Sequence, residues 1–164
     1  PGAQGANVIT SNDVLTGART GEHVVIIDTQ GTPPGCVVAE VLADQGKRVE
    51  IVTGLNWVGS DIPGPVWHHL YERLLGKGVV MSPMTGVSQI GEDFVDVYHV
   101  VNTSVARTIQ SVDTVVMAAG GQANDGLYNS LAGRVDELYV IGDSAQPRNI
   151  EMATYQAHKV AVEL

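Results

Sequence analysis

The 164-residue chain has a single cysteine, Cys36. One cysteine cannot close an internal disulfide, and alone it cannot build a zinc or iron–sulfur site. It fits a reducing, cytoplasmic setting. Charged residues are few, at 16%, against 44% hydrophobic, a balance that supports a packed core and argues against disorder. Basic residues are scarcer still: 9 Lys and Arg stand against 18 Asp and Glu, for a net charge of -9. That excess repels a phosphate backbone and an anionic lipid surface, so neither nucleic acid nor a membrane is an expected partner. It does not forbid one dinucleotide, because helix N-termini and backbone amides bind phosphate locally. No apolar run approaches the roughly 20 residues of a membrane span. No basic start followed by an apolar stretch is visible, and the first residue is Pro1 rather than Met, so the sequence reads as a piece of a longer polypeptide.

Catalytic signatures are also lacking. There is no Ser-His-Asp pattern and no nucleophile elbow. His23, His68, His69, His99 and His158 have no metal-ligand spacing. Cys36 begins a helical stretch without a resolving partner and reads as a buried, small apolar residue. Trp57 and Trp67 read as packing residues. No residue stands out as a catalytic acid, base or nucleophile, and no metal ligand is expected.

What is present is a βαβ pattern. Residues 24–27 form a continuous β-branched run, the mark of a parallel strand buried on both faces. Residues 28–35 are dense in turn formers, and Val37, Val38, Val41 and Leu42 then recur at helical spacing up to a stop at Gly46. Residues 49–53 read as a second strand, which makes 24–53 one right-handed crossover unit. Ahead of it, Ser11, Asn12 and Asp13 are placed to cap a short turn over Val14 and Leu15. Beyond it, Pro63 and Pro65 open a helix through Leu74 and Leu75. A strand follows at 79–81, then short β-rich runs at 87–90, 94–101 and 105–109, and a returning strand at 112–117. The tail carries a helical turn near 127–131, a strand at 138–141 and an amphipathic helix over 151–164. The expected architecture is α/β and Rossmann-like: a central parallel sheet, helices on both faces, and a small antiparallel β-meander. The expected division is a lead-in at 1–20, an NAD(P)-binding-like domain at 21–117, and a tail at 118–164.

The turn after the first strand is one candidate site. A dinucleotide fold spaces glycines there so that the backbone approaches a pyrophosphate. Gly35 is placed for the last of them, but counting back puts Gln30 and Thr32 at the other two positions, with Gly31 between. The end of the second strand is Thr53-Gly54, neither the carboxylate that binds a ribose hydroxyl nor the arginine that favours a 2′-phosphate. Glu50 lies within that strand. The run from Tyr139 through Gly142 and Asp143 to Ile150 is a more specific pattern, in which Gly permits a tight turn and Asp accepts from a sugar hydroxyl or caps a helix.

Residues 7–15, 24–28, Gly31, Gly35, 39–43, 49–53 and 140–148, in that order, resemble the C-terminal region of the trimethylamine dehydrogenase, histamine dehydrogenase and 2,4-dienoyl-CoA reductase family. The resemblance implies a parent flavin-dependent oxidoreductase, an amine or N-methyl dehydrogenase or an enoyl-type reductase. It implies a parent with an N-terminal (β/α)8 barrel holding FMN, an iron–sulfur cluster outside this region, and a homo-oligomeric assembly. For this region it implies FAD or ADP against the tail, and NAD(P)(H) in the reductase branch; the departures at residues 28–32 look more like the amine dehydrogenase branch. The Gly-Asp of the tail, Gly142 and Asp143, is the element that approaches flavin or ADP, with Arg148 and Ile150 beside it. The candidate cofactor-binding residues are thus Asp28, Gly31, Gly35, Thr53, Gly142, Asp143, Arg148 and Ile150. The competing expectation is a vestigial scaffold that binds no nucleotide and packs against the barrel or a neighbouring subunit.

Overall fold

A computed structural model describes residues 1–164, which divide into two units, Pro1–Ala119 and Gly120–Leu164. In the first unit, β1 (Val8–Thr10), β2 (His23–Asp28), β3 (Arg48–Val52), β4 (Val80–Ser82) and β8 (Thr114–Ala118) form one sheet in the order β1-β8-β2-β3-β4. All its pairings are parallel, with Val24 opposite Val49, Ile26 opposite Ile51, and Asp28 opposite Ala118. Every residue of β2 is buried, as its unbroken β-branched run requires.

The two faces of this sheet are covered differently. Val24, Ile26, Val49, Ile51 and Val116 pack against α1 (Ser11–Leu15), α2 (Pro33–Asp44) and α3 (Gly64–Gly76). Their partners there include Val14, Val38, Leu42, Leu70 and Leu74. Side chains alternate along a strand, so Val25, Ile27, Val52 and Val115 face the other way. They meet Ile90, Val95, Val97 and Ile109 of an antiparallel meander, β5 (Thr85–Ile90), β6 (Phe94–His99) and β7 (Ala106–Gln110). The expectation of helices on both faces therefore becomes helices on one and the meander on the other. Full burial of each such Val, Ile or Leu contributes about 1.5–3 kcal/mol relative to exposure.

Ion pairs clamp the helical face: Glu40 of α2 accepts from Arg73 of α3 at 2.7 and 3.0 Å, and Lys77 bridges Glu40 and Asp44. The helix after β1 is capped one residue earlier than expected. Thr10, rather than Ser11, accepts from the Asp13 amide, and Asp13 accepts from the Thr10 amide in return.

The second unit contains α4 (Gly126–Leu131), a 3-10 turn (Gly142–Ser144) and α5 (Ile150–Glu163). The strand expected at 138–141 is not formed. Its apolar residues have no neighbouring strand with which to share a ladder, and Tyr139 and Ile141 remain exposed.

Candidate functional site

The eight candidate residues fall into two groups, four in each unit. Asp28 ends β2, and its Oδ1 accepts from the Gln30 and Gly31 amides at 3.0 and 2.9 Å. This Asx turn bends the chain back towards α2. Gly31 has φ +68, and a Cβ there would stand 2.3 Å from Ser60 Oγ and 2.8 Å from Leu55 Cδ1. Glycine is required both by the conformation and by the close passage of the 54–62 loop. That loop is tied to the turn by the Asp61 amide donating to the Gly31 carbonyl at 3.0 Å. It is held from behind by Trp67 Nε1, which donates to the Val58 carbonyl at 2.7 Å.

Gly35 lies inside the first turn of α2, not ahead of it, and a Cβ there would press on the Asp28 side chain at 3.3 Å. Thr53, just past β3, is 1% exposed. Its amide donates to the Ser82 carbonyl, its carbonyl accepts from the Thr85 amide, and its hydroxyl accepts from the Leu55 amide. Asp28, Gly31, Gly35 and Thr53 are thus brought close to the C-terminal edge of the sheet, and all four are buried.

Burial also sets the chemistry of this group. Asp28 is 1% exposed, and its Oδ2 has no hydrogen-bond partner. Desolvation raises its carboxyl above the ordinary value, against the lowering effect of the two amides. The Cys36 thiol is pushed up to about 12, first by burial and then by the Asp28 charge, so it is held as the neutral thiol. No group of three or more His, Cys, Asp or Glu side chains is arranged to hold a metal ion.

The second group is open. Gly142 has φ +60, and its amide donates to Gln156 Oε1 of α5 at 2.7 Å. Asp143 is exposed and accepts one long hydrogen bond from the Arg148 amide at 3.4 Å. Asn149 caps α5 by accepting from the Met152 amide at 2.9 Å, which fixes where the helix begins. Ile150, its first residue, is 83% exposed, and an open hollow of about 440 Å³ lined by Glu151, Met152, Thr154 and Tyr155 adjoins it. Arg148 is exposed and donates to Gln146. Gly142, Asp143, Arg148 and Ile150 therefore form one turn leading into a capped helix.

Two features escaped the sequence reading. The Gln156 side chain reaches back 14 residues to Gly142, a spacing no local rule flags. Glu50, buried in β3 on the meander side, accepts from Ser82 Oγ at 2.5 Å and pairs with Arg107 of β7. Alternation along β3 puts Glu50 on the same face as Val52, but nothing in the sequence names its partner on a strand 57 residues away.

A five-stranded parallel βαβ sheet with an antiparallel meander on one face is a Rossmann-like α/β fold. No protein-family model matches the chain. It is 27% identical to a metal reductase of Desulforamulus reducens over 99% of its length, and 30% identical to a cinnamate reductase of Clostridium sporogenes over 94%. Its structure superposes on histamine dehydrogenase from Rhizobium sp. 4-9 with a TM-score of 0.86 at 29% identity, covering 96% of the chain. The chain spans about a quarter of each relative, at 28%, 23% and 26% of their lengths. Over nearly its whole length it is similar to reductases and dehydrogenases of the family that its motifs resemble.

Proposed function

We propose that this chain is the nucleotide-binding region of a larger flavin-dependent oxidoreductase, and that the turn from Gly142 to Ile150 is where the nucleotide lies. The observation that carries the reading is the match of nearly the whole chain to oxidoreductases about four times its length, combined with the open turn at the start of α5. The residues there suit an adenine nucleotide. Gly142 adopts a left-handed conformation that brings the backbone close without a side chain. Asp143 keeps most of its acceptor capacity for a sugar hydroxyl. Although the Met152 amide of α5 is taken by the Asn149 cap, the Ile150 and Glu151 amides of that first turn are left to donate to a phosphate. The ligand is FAD or ADP, and in the full polypeptide a flavin supplies the electron transfer while this region binds and orients. The substrate class is an amine, as for histamine dehydrogenase, or an enoyl-type compound, as for cinnamate reductase. The remaining partner is a flavin-bearing (β/α)8 barrel within the same polypeptide. FMN and the iron–sulfur cluster belong to the parts of that polypeptide outside this chain, which has one cysteine.

The test is ligand-dependent melting of the chain with ADP and FAD. A ligand at 100 times its dissociation constant stabilises by about 2.7 kcal/mol. ADP or FAD should raise the melting temperature, and Asp143→Asn should reduce the rise. No shift with either ligand would sink the reading and favour a non-binding scaffold.

A further inference from the structure

The turn between β2 and α2 has the outline of a diphosphate site and the wrong contents. A helix N-terminus binds phosphate through the free amides of its first turn. In α2 the first two residues are Pro33 and Pro34, which have no amide hydrogen, and the N-cap Thr32 makes no side-chain cap. The carboxylate of Asp28 lies at the mouth of that helix, with Oδ2 unpartnered and within 3.4 Å of the position a Gly35 Cβ would take. Over the turn runs the 54–62 loop, bonded to the Gly31 carbonyl and in contact range of Gly31 itself.

We infer that Asp28 is a built-in anion that denies this turn to the diphosphate of a dinucleotide, so that NAD(P)(H) is excluded from the first unit. The inference rests on the reading that the chain is a nucleotide-fold region and narrows it to one turn. A second negative group brought beside a buried carboxylate meets repulsion that the low-dielectric interior screens poorly. The two missing proline amides remove donors that would offset it. A dinucleotide that carries an ADP half is then held, if at all, at the Gly142 turn alone.

The experiment is a backbone-amide NMR titration of the whole chain with inorganic pyrophosphate and with NADH. It reads Gln30, Gly31, Gly35 and Cys36 separately from Gly142 and residues 150–152. In the native chain the first set should stay unmoved at millimolar ligand. In Asp28→Asn, which keeps the Oδ1 acceptor for Gln30 and Gly31, pyrophosphate should move that set with an affinity at least about tenfold higher, equivalent to one negative charge removed nearby. Asp28→Ser, whose hydroxyl can still close the turn, should do the same and guards against a folding defect in the first variant. Saturable shifts at Gly31 and Gly35 in the native chain would overturn the inference. So would variants that fold natively and gain no pyrophosphate affinity. The Gly142 set reports on the proposed nucleotide site independently, so failure of one reading is visible apart from failure of the other.

Discussion

The turn at Gly31 and the turn at Gly142 each lead into a helix of 12 or more residues, and they differ in what reaches that helix. At the first, Asp28 is folded inward, prolines take the first two helical positions, and the chain's own loop lies on top. At the second, Asp143 points to solvent, Asn149 caps the helix, and Ile150 is bare. A shared outline in the fold therefore says where a nucleotide site is possible. Which side chains are buried there decides whether one remains.

The sharpest way to break this comparison is to put a methyl group in each turn. Gly31→Ala meets both a left-handed backbone and Ser60 Oγ at 2.3 Å, and should cost about 2–4 kcal/mol in urea unfolding of the first unit. Gly142→Ala meets only Ala153 Cβ, at 3.4 Å, and should cost about 1–2 kcal/mol from backbone strain alone. Equal losses would mean that the first turn is not closed over as described.

The face of the sheet beneath the meander gives the next effect. Arg107→Met strips Glu50 of its charged partner and leaves it only Ser82, at a cost of about 1.5–3 kcal/mol. Because Arg107 is half exposed, the lower end of that range is expected. A smaller effect is expected on the helical face. Arg73, with Lys77 adding to it, holds the Glu40 carboxyl at about 2, well below the ordinary range. A depressed carboxylate contributes stability that is present above its unfolded value of about 4.5 and fades as pH falls towards 2. Glu40→Gln should therefore cost about 1 kcal/mol at pH 7 and little at pH 2.

Asp28 has the opposite sign. Its carboxyl is raised by burial, so it binds protons more readily folded than unfolded. The native chain's stability relative to Asp28→Asn should be highest at low pH and decline as pH rises from about 3.8 through the folded value. A difference that stays flat with pH, measured by urea unfolding, would contradict a desolvated carboxylate at this turn.

Much of the fold was legible because burial on both faces leaves a plain trace. The apolar runs at 24–27 and 49–53 placed β2 and β3 within a residue, and the periodic apolar residues after Gly35 placed α2, though its first turn begins earlier, at Pro33. The meander was legible from three short runs with no room for helices between them. Its place across the sheet was not, since nothing local tells which layer covers a face. The run at 138–141 misled because strand propensity describes a segment, whereas a strand is a pairing. At the sites, the missing glycines at positions 30 and 32 were readable. The unpartnered Oδ2 of Asp28 was not, and neither was the covering loop, which depends on Ser60 and Leu55 arriving from a different crossover.

The most direct measurement is a residue-resolved amide map of ADP binding to the chain. Shifts centred on Gly142, Asp143 and residues 150–152, with Gln30, Gly31, Gly35 and Cys36 unmoved, are the predicted result. Shifts centred on Gly31 and Gly35 would contradict the account and return the nucleotide to the first turn.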